Sequence, residues 1–200
     1  MQHVSVFPTV ISVARFPRAE SLNPIFERLI VARFERDKLS KTQTTDDLHE
    51  EPELAPLVDF FNEQLVQRFA AFKVADARFE ITSCWGNIQQ RGDALRYHSH
   101  SNSFLSGSYY VRCPNNCGDL EFLDPRATGF RFDLEVTEMN PFNAEAFSVT
   151  PKPGMLVLFP SSLMHGTGRN EADEPRVSVA FNVLPRGQLG SSRRLTRAKF

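Results

Sequence analysis

His98 and His100 stand two residues apart in Tyr97-His98-Ser99-His100-Ser101. In a strand, residues i and i+2 project to the same face. The pair would therefore aim two imidazoles into one space, as a β-barrel strand does when it offers two metal ligands. Taken alone, two serine-flanked histidines read equally well as a surface pair. His165 tips the balance. It follows a Pro153-Gly154 turn and the apolar run 155–160, which reads as a buried strand, and a Gly-Thr-Gly loop comes after it. A histidine at the end of that strand could face His98 and His100 across a barrel. His3 and His49, in a terminal strand and a polar loop, have no such company.

Eleven residues beyond His165, the run 176–182 reads as a further strand. Its Val177, Val179 and Phe181 face suits a core, which leaves Arg176 and Ser178 together on the opposite face. An inward guanidinium and hydroxyl call for an anionic partner, because an unpaired buried cation is too costly. That partner is either a bound anion or a carboxylate of the protein itself. Cys113 and Cys117 form a lone CxxxC on a turn, and with only Cys84 besides, a zinc site is short of ligands, so free thiols are expected. Asp124-Pro125-Arg126 reads as an Asp-Pro turn with an Arg ion pair, or as a place where Arg126 could contact substrate.

These side chains need a scaffold, and the pattern supplies one. Residues 4–13 read as a strand with Pro8 marking an edge or bulge. Asn23-Pro24 reads as an N-cap and first-turn proline, opening a helix with Ile25, Phe26, Leu29, Ile30 and Phe34. A polar loop over 39–50 leads to a second helix, roughly 51–72. Its Leu54, Leu57, Val58, Phe61, Leu65, Phe69 and Phe72 recur at steps of three and four. From residue 77 the chain turns β-rich, with runs at 78–90, 95–112, 119–123, 130–136, 146–149, 155–160 and 176–184 separated by turn signals. That spacing predicts an antiparallel sandwich or jelly roll. The aromatic 127–150 insert is either a lid or a peripheral strand pair. We expect one domain over 1–200: an N-terminal strand and two supporting helices (1–76), a catalytic core (77–186) and a basic tail (187–200) that frays into solvent.

Composition narrows the function classes. The formal net charge of −1 gives no global field to draw nucleic acid or an anionic membrane. The hydrophobic share of 41 % can build a core, and 18 phenylalanines against three tyrosines and one tryptophan point to large rigid rings inside it. No signal-like segment or membrane-length apolar run is present, and three cysteines fit a reducing compartment. A cytoplasmic protein is the expectation.

The ordered blocks over 98–111, 118–126, 151–165 and 176–182, together with Trp85-Gly86-Asn87-Ile88, resemble the 2-oxoglutarate- and Fe(II)-dependent oxygenases, a double-stranded β-helix, cupin-like superfamily. The likeness spans about residues 78–184. It implies a mainly β fold with flanking helices, a jelly roll whose major sheet carries the two N-terminal helices. It implies that His98 and His165 ligate iron, and that Arg176 pairs with the distal carboxylate of 2-oxoglutarate beside Ser178. Asn87 and Gln89, which share a strand face, become candidates for the same cosubstrate, as do Tyr109 or Tyr110. Most members place a carboxylate two residues after the first histidine. This chain has His100 there, so the third ligand is His100 or a carboxylate from Asp119, Glu121 or Asp124, with three histidines favoured. The implied activity is hydroxylation by O2 of a small molecule or a protein side chain, with a homodimer allowed. The rivals are a three-histidine cupin-type metalloenzyme that does not use 2-oxoglutarate, and a cupin-like binding protein without catalysis. The Gly92 to His98-x-His100 spacing resembles a cupin motif, but the cupin glutamate is missing at Phe104 or Leu105.

Overall fold

The structure is a computed structural model that describes residues 1–2, 6–74, 78–126, 135–140, 142–190 and 198–199. Helix α1 (Ala19–Asp37) buries Ala19, Asn23, Phe26, Ile30 and Arg33, a 4-3-4-3 stripe. It starts a turn earlier than the Asn-Pro signal suggests, so Pro24 lies inside it. Asn23 does not cap the helix because the fold uses its amide elsewhere. Its Nδ2 donates to the Val111 carbonyl (2.8 Å), and its Oδ1 accepts the Tyr109 hydroxyl (2.6 Å). Helix α2 (Ala55–Ala71) follows two short 3-10 turns and buries Leu57, Phe60, Phe61, Leu65, Arg68 and Phe69. Phe72, expected on that face, is about half exposed under the Arg68 guanidinium. Among the described residues no helix is long and apolar enough to cross a membrane.

The strands are β1 (Ser12–Arg15), β2 (Phe79–Gln89), β3 (Leu105–Arg112), β4 (Leu120–Leu123), β5 (Ala146–Val149), β6 (Met155–Pro160), β7 (His165–Thr167) and β8 (Arg176–Pro185). They form a five-stranded sheet in the order β1-β6-β3-β8-β2 and a three-stranded sheet in the order β5-β4-β7. From β5 to β8 the chain crosses between the sheets at every strand, the winding of a double-stranded β-helix. Both helices cover one face of the large sheet. Phe26, Ile30, Phe61 and Leu65 share a core there with Leu105, Tyr109, Leu156, Leu158, Val177, Val179, Phe181 and Val183. The opposite face looks at the small sheet across Tyr110, Leu120, Phe122, Val157, Phe159 and Leu163.

Three further expectations are corrected. The first strand is confined to 12–15, at the edge of the large sheet; His3, Val4 and Ser5 lie outside the described residues. The 39–50 loop is a strap along β2, with Ile88 N–H donating to Thr42 O (2.8 Å), Thr44 N–H to Gly86 O (3.1 Å) and Cys84 N–H to Asp46 O (2.7 Å). These three are backbone hydrogen bonds at a sheet edge, which need no apolar alternation and so leave no strand signature. The C-terminal segment ends paired rather than frayed, Ala198 opposite Leu189 and Lys199 opposite Gln188; residues 191–197 and 200 lie outside the described residues. The insert shows β5 against β4, while 127–134 and 141, with Phe130, Arg131 and Phe132, lie outside them too.

Candidate metal centre and cosubstrate cleft

The histidine segment is extended but is not part of β3, which begins only at Leu105. His98 pairs with His165 as an isolated antiparallel bridge, N–H to O at 2.9 Å in both directions, and His100 N–H donates to Ser161 O (2.9 Å). His165 opens β7 rather than closing β6. These bonds bring the three rings together with centroids 4.4–5.1 Å apart, and one nitrogen from each lies within 4.8 Å of the others.

Each ring is oriented through Nδ1. His98 Nδ1 meets Arg96 O (2.8 Å) and His165 Nδ1 meets Leu163 O (2.8 Å). His100 Nδ1 meets Asn182 Oδ1 (2.5 Å) and Ser106 Oγ (2.9 Å). A carbonyl can only accept, so these contacts put a proton on Nδ1, and in the neutral ring the free lone pair is then on Nε2. That is how metal-binding imidazoles are normally held. Burial lowers the His165 pKa to about 4, with the neighbouring histidines adding to it, and burial also lowers that of His100 against the Asn182 bond. Both rings are therefore neutral at pH 7, the state that ligates. The three carboxylates considered as alternatives lie outside this cluster. Glu121 accepts the Tyr97 hydroxyl (2.7 Å), Asp124 is paired with Arg126, and Asp119 does not line the cleft.

Behind the histidines the cleft runs inward between the sheets. Period-2 alternation along β8 turns Arg176 and Ser178 into it and Val177, Val179 and Phe181 towards the helices. Arg176 is only 2 % exposed. Its Nη1 donates to Gly118 O (2.6 Å) and its Nη2 to Gln89 Oε1, while Nε has no partner. Gly118 holds that carbonyl in place at φ +83°, where any Cβ would strike Gly168 O. No carboxylate pairs with Arg176 among the described residues. Ser178 is buried beside it and lines the cleft.

The remaining candidates separate. Gln89 is the inner partner of Arg176, with its Nε2 on Thr167 Oγ1 (3.2 Å). Asn87 lies beside Ser178, its cross-strand neighbour on the same wall of the cleft. Tyr110 lines the cleft, its phenol pushed up to about 12 by burial with Arg176 opposing. Tyr109 is excluded, because alternation along β3 turns it into the helix-side core, where its hydroxyl is bound by Asn23. Arg126 stands apart from the cleft: it is exposed, forked onto Asp124 and not among the described lining residues. Cys84, Cys113 and Cys117 form no disulfide. Gln43, Trp85 and Thr167 also line the cleft. Of these, Trp85 shares the alternation of Asn87 and Gln89 and was findable, whereas Gln43 sits in a segment with no periodicity.

Three imidazole nitrogens converging on one point suit a divalent metal such as iron, and an unpaired buried guanidinium suits an anion. The comparisons agree. The family model described as "Putative 2OG-Fe(II) oxygenase" matches residues 83–182, half of the chain and the part that holds the three histidines and Arg176. No curated protein matches the sequence. Among solved structures, similar folds include a Pseudomonas putida prolyl-4-hydroxylase, at 15 % identity and TM-score 0.64 over 90 % of this chain and 94 % of that one. AviO1 from Streptomyces viridochromogenes Tue57 is similar at 18 % identity and TM-score 0.60, over 88 % and 89 %. HygX from Streptomyces hygroscopicus, solved with nickel and 2-oxoglutarate bound, is similar at 17 % identity and TM-score 0.58, over 88 % and 83 %. At such identities the likeness to each is one of fold. The family match, over a span that carries the ligand set and the guanidinium, assigns the chain to the 2-oxoglutarate- and Fe(II)-dependent oxygenases, an enzyme family whose cofactors are Fe(II) and 2-oxoglutarate.

Proposed function

We propose that the protein hydroxylates an unactivated C–H bond of a small molecule or a protein side chain, with His98, His100 and His165 holding the iron through Nε2. Arg176 and Ser178 would take the distal carboxylate of 2-oxoglutarate, with Gln89 and Tyr110 shaping that end. Fe(II), 2-oxoglutarate and O2 supply the oxidising chemistry, in which decarboxylation to succinate and CO2 accompanies transfer of one oxygen atom to the substrate. The protein's part is positional. Three Nδ1 hydrogen bonds fix the ligand rings, and the sheets exclude water from a narrow cleft. Gly118 and Gln89 hold the guanidinium fork flat for a carboxylate.

The observation that carries this reading is Arg176, a buried cation with two neutral acceptors, an orphaned Nε and no carboxylate partner among the described residues, at the inner end of a cleft that opens on three imidazoles. It also speaks against a cupin that uses no dicarboxylate. Calorimetric titration of nickel-loaded protein with 2-oxoglutarate tests it. Arg176→Ala should weaken binding by about 2–5 kcal/mol, the range for one partner of a desolvated charge pair. Arg176→Lys should lose less, keeping the charge without the bidentate fork. Unchanged 2-oxoglutarate affinity with a lower Tm would make Arg176 structural and remove the reading's main support.

A further inference from the structure

The strap delivers one side chain to the cleft. Thr44 turns inward, its Oγ1 accepting the Gly86 N–H (3.0 Å), so Gln43 before it faces the other way, into the cleft beside Asn87. Gln43 Nε2 donates to Asn87 Oδ1 (3.2 Å). No hydrogen bond among the described residues uses Gln43 Oε1 or Asn87 Nδ2, and neither atom is sealed in the interior without a partner. The two amides thus show the cleft one free acceptor and one free donor. Reversing both amides exchanges their roles and preserves the couple. Beyond them is Trp85, half-buried, its ring 5.8 Å from that of His100. Among the described lining residues Arg176 is the one permanent charge, and it is at the inner end.

The strap is also rigidly anchored. Arg33, buried on α1, is paired with Asp47 and Glu51 and donates to Thr45 Oγ1 (2.5 Å). Asp37 accepts the Thr45 N–H (3.1 Å) and hydroxyl (2.8 Å). Such an anchor keeps Gln43 in place before any ligand arrives.

We infer that Gln43 is a specificity-determining residue, and that the primary substrate presents an uncharged carboxamide or peptide unit to the Gln43–Asn87 couple, with a ring or apolar face against Trp85. The inference rests on the oxygenase reading above, because it assigns the inner end of the cleft to the cosubstrate. A carboxamide carries both a donor and an acceptor and satisfies the couple. A carboxylate would meet the free acceptor with an oxygen, and a cationic donor group would meet the free donor with an N–H. Each charged group leaves one desolvated polar atom unpaired, which is where discrimination arises.

Benzamide, benzoate and benzamidinium share a ring and a shape and differ in charge and hydrogen-bonding pattern. Their binding to nickel-loaded protein saturated with 2-oxoglutarate can be followed by ligand-observed NMR and by Trp85, the only tryptophan in the chain. Wild-type protein should prefer benzamide by about tenfold over both charged probes, one hydrogen bond's worth. Gln43→Leu should level the three, and Gln43→Glu should shift preference towards benzamidinium. Equal binding of the three by wild type, no binding of any, or a preference retained by Gln43→Leu would overturn the inference. A 2-oxoglutarate titration run first separates the cases: if wild type does not bind the cosubstrate, the oxygenase reading itself has failed.

Discussion

At the scale of single residues, the proposed metal centre depends on side chains that would not touch the metal. His100 is aimed by Asn182 and Ser106, both on strands of the large sheet, and Asn182 is itself held by a bond to Ser83 Oγ (3.2 Å). Loss of such an orienting group weakens metal binding, and here Ser106 still accepts from Nδ1 in its absence. Asn182→Leu should therefore reduce metal affinity by about tenfold, the lower end for an outer-shell ligand, and Asn182→Leu with Ser106→Ala by about a hundredfold. Chelator-competition titration reads both. An affinity within error of wild type in the double variant would mean that His100 is oriented by something else, or does not ligate. The histidines and Arg176–Ser178 were legible because a period of two needs only extended backbone, and their residue types have few other uses on an inner face. Asn182 was visible as the end of that motif, but its task depends on a strand brought alongside by folding. The choice between Tyr109 and Tyr110 needed the orientation of β3, which the apolar residues on both its faces conceal.

At the scale of elements, α1 and the strap were read least well, for one physical reason. Asn23-Pro24 satisfies the local signature of a helix start. The Val111 carbonyl and the Tyr109 hydroxyl compete for the same amide, and both lie 86 or more residues away in sequence. The strap's Thr-Gln-Thr-Thr segment has the composition of a loop, yet its backbone completes the edge of β2. Its anchor makes a pH prediction. Hydrogen bonds from the Thr45 hydroxyl and N–H lead in lowering the Asp37 pKa from 3.8 to about 2, with Arg36 and Arg33 assisting. A carboxyl depressed in the folded state stabilises above its unfolded pKa, and that contribution is lost as pH falls through the folded value. Asp37→Asn should therefore lower Tm at pH 6, and the gap to wild type should close between about pH 4 and pH 2. A gap that stays constant through that window would assign the loss to geometry rather than to charge.

For the whole molecule, β8 is the shared wall of two compartments. One face packs into the helix-side core through Val177, Val179, Phe181 and Val183, and the other carries Arg176, Ser178 and Asn182. The large sheet is thus one layer thick between a rigid aromatic core and the cleft. The β runs over 146–149 and 155–160 were legible with their boundaries, since their apolar residues are bracketed by turn signals. The need for a glycine at 107 was not, because it depends on a ring from β8. Phe181 stacks on Phe61 of α2 with centroids 4.3 Å apart, directly over Gly107, where an added Cβ would lie 2.3 Å from the Phe181 ring. That ring cannot swing away, because Phe61 closes its other side and both are fully buried. Gly107→Ala should therefore push β8 relative to β3 and destabilise the fold by about 1–3 kcal/mol, the usual range for overpacking. The displaced strand carries Arg176 and Ser178, the pair proposed to bind the anion, so 2-oxoglutarate affinity should fall in the same variant although no cleft-facing side chain has changed. Phe61→Leu in the Gly107→Ala background frees space beside the ring and should restore part of both losses. A melt and a calorimetric titration on the single and double variants decide the matter. If Tm falls while 2-oxoglutarate affinity holds, the two faces of β8 are mechanically independent, and the helix layer supports the fold without setting the geometry of the cleft.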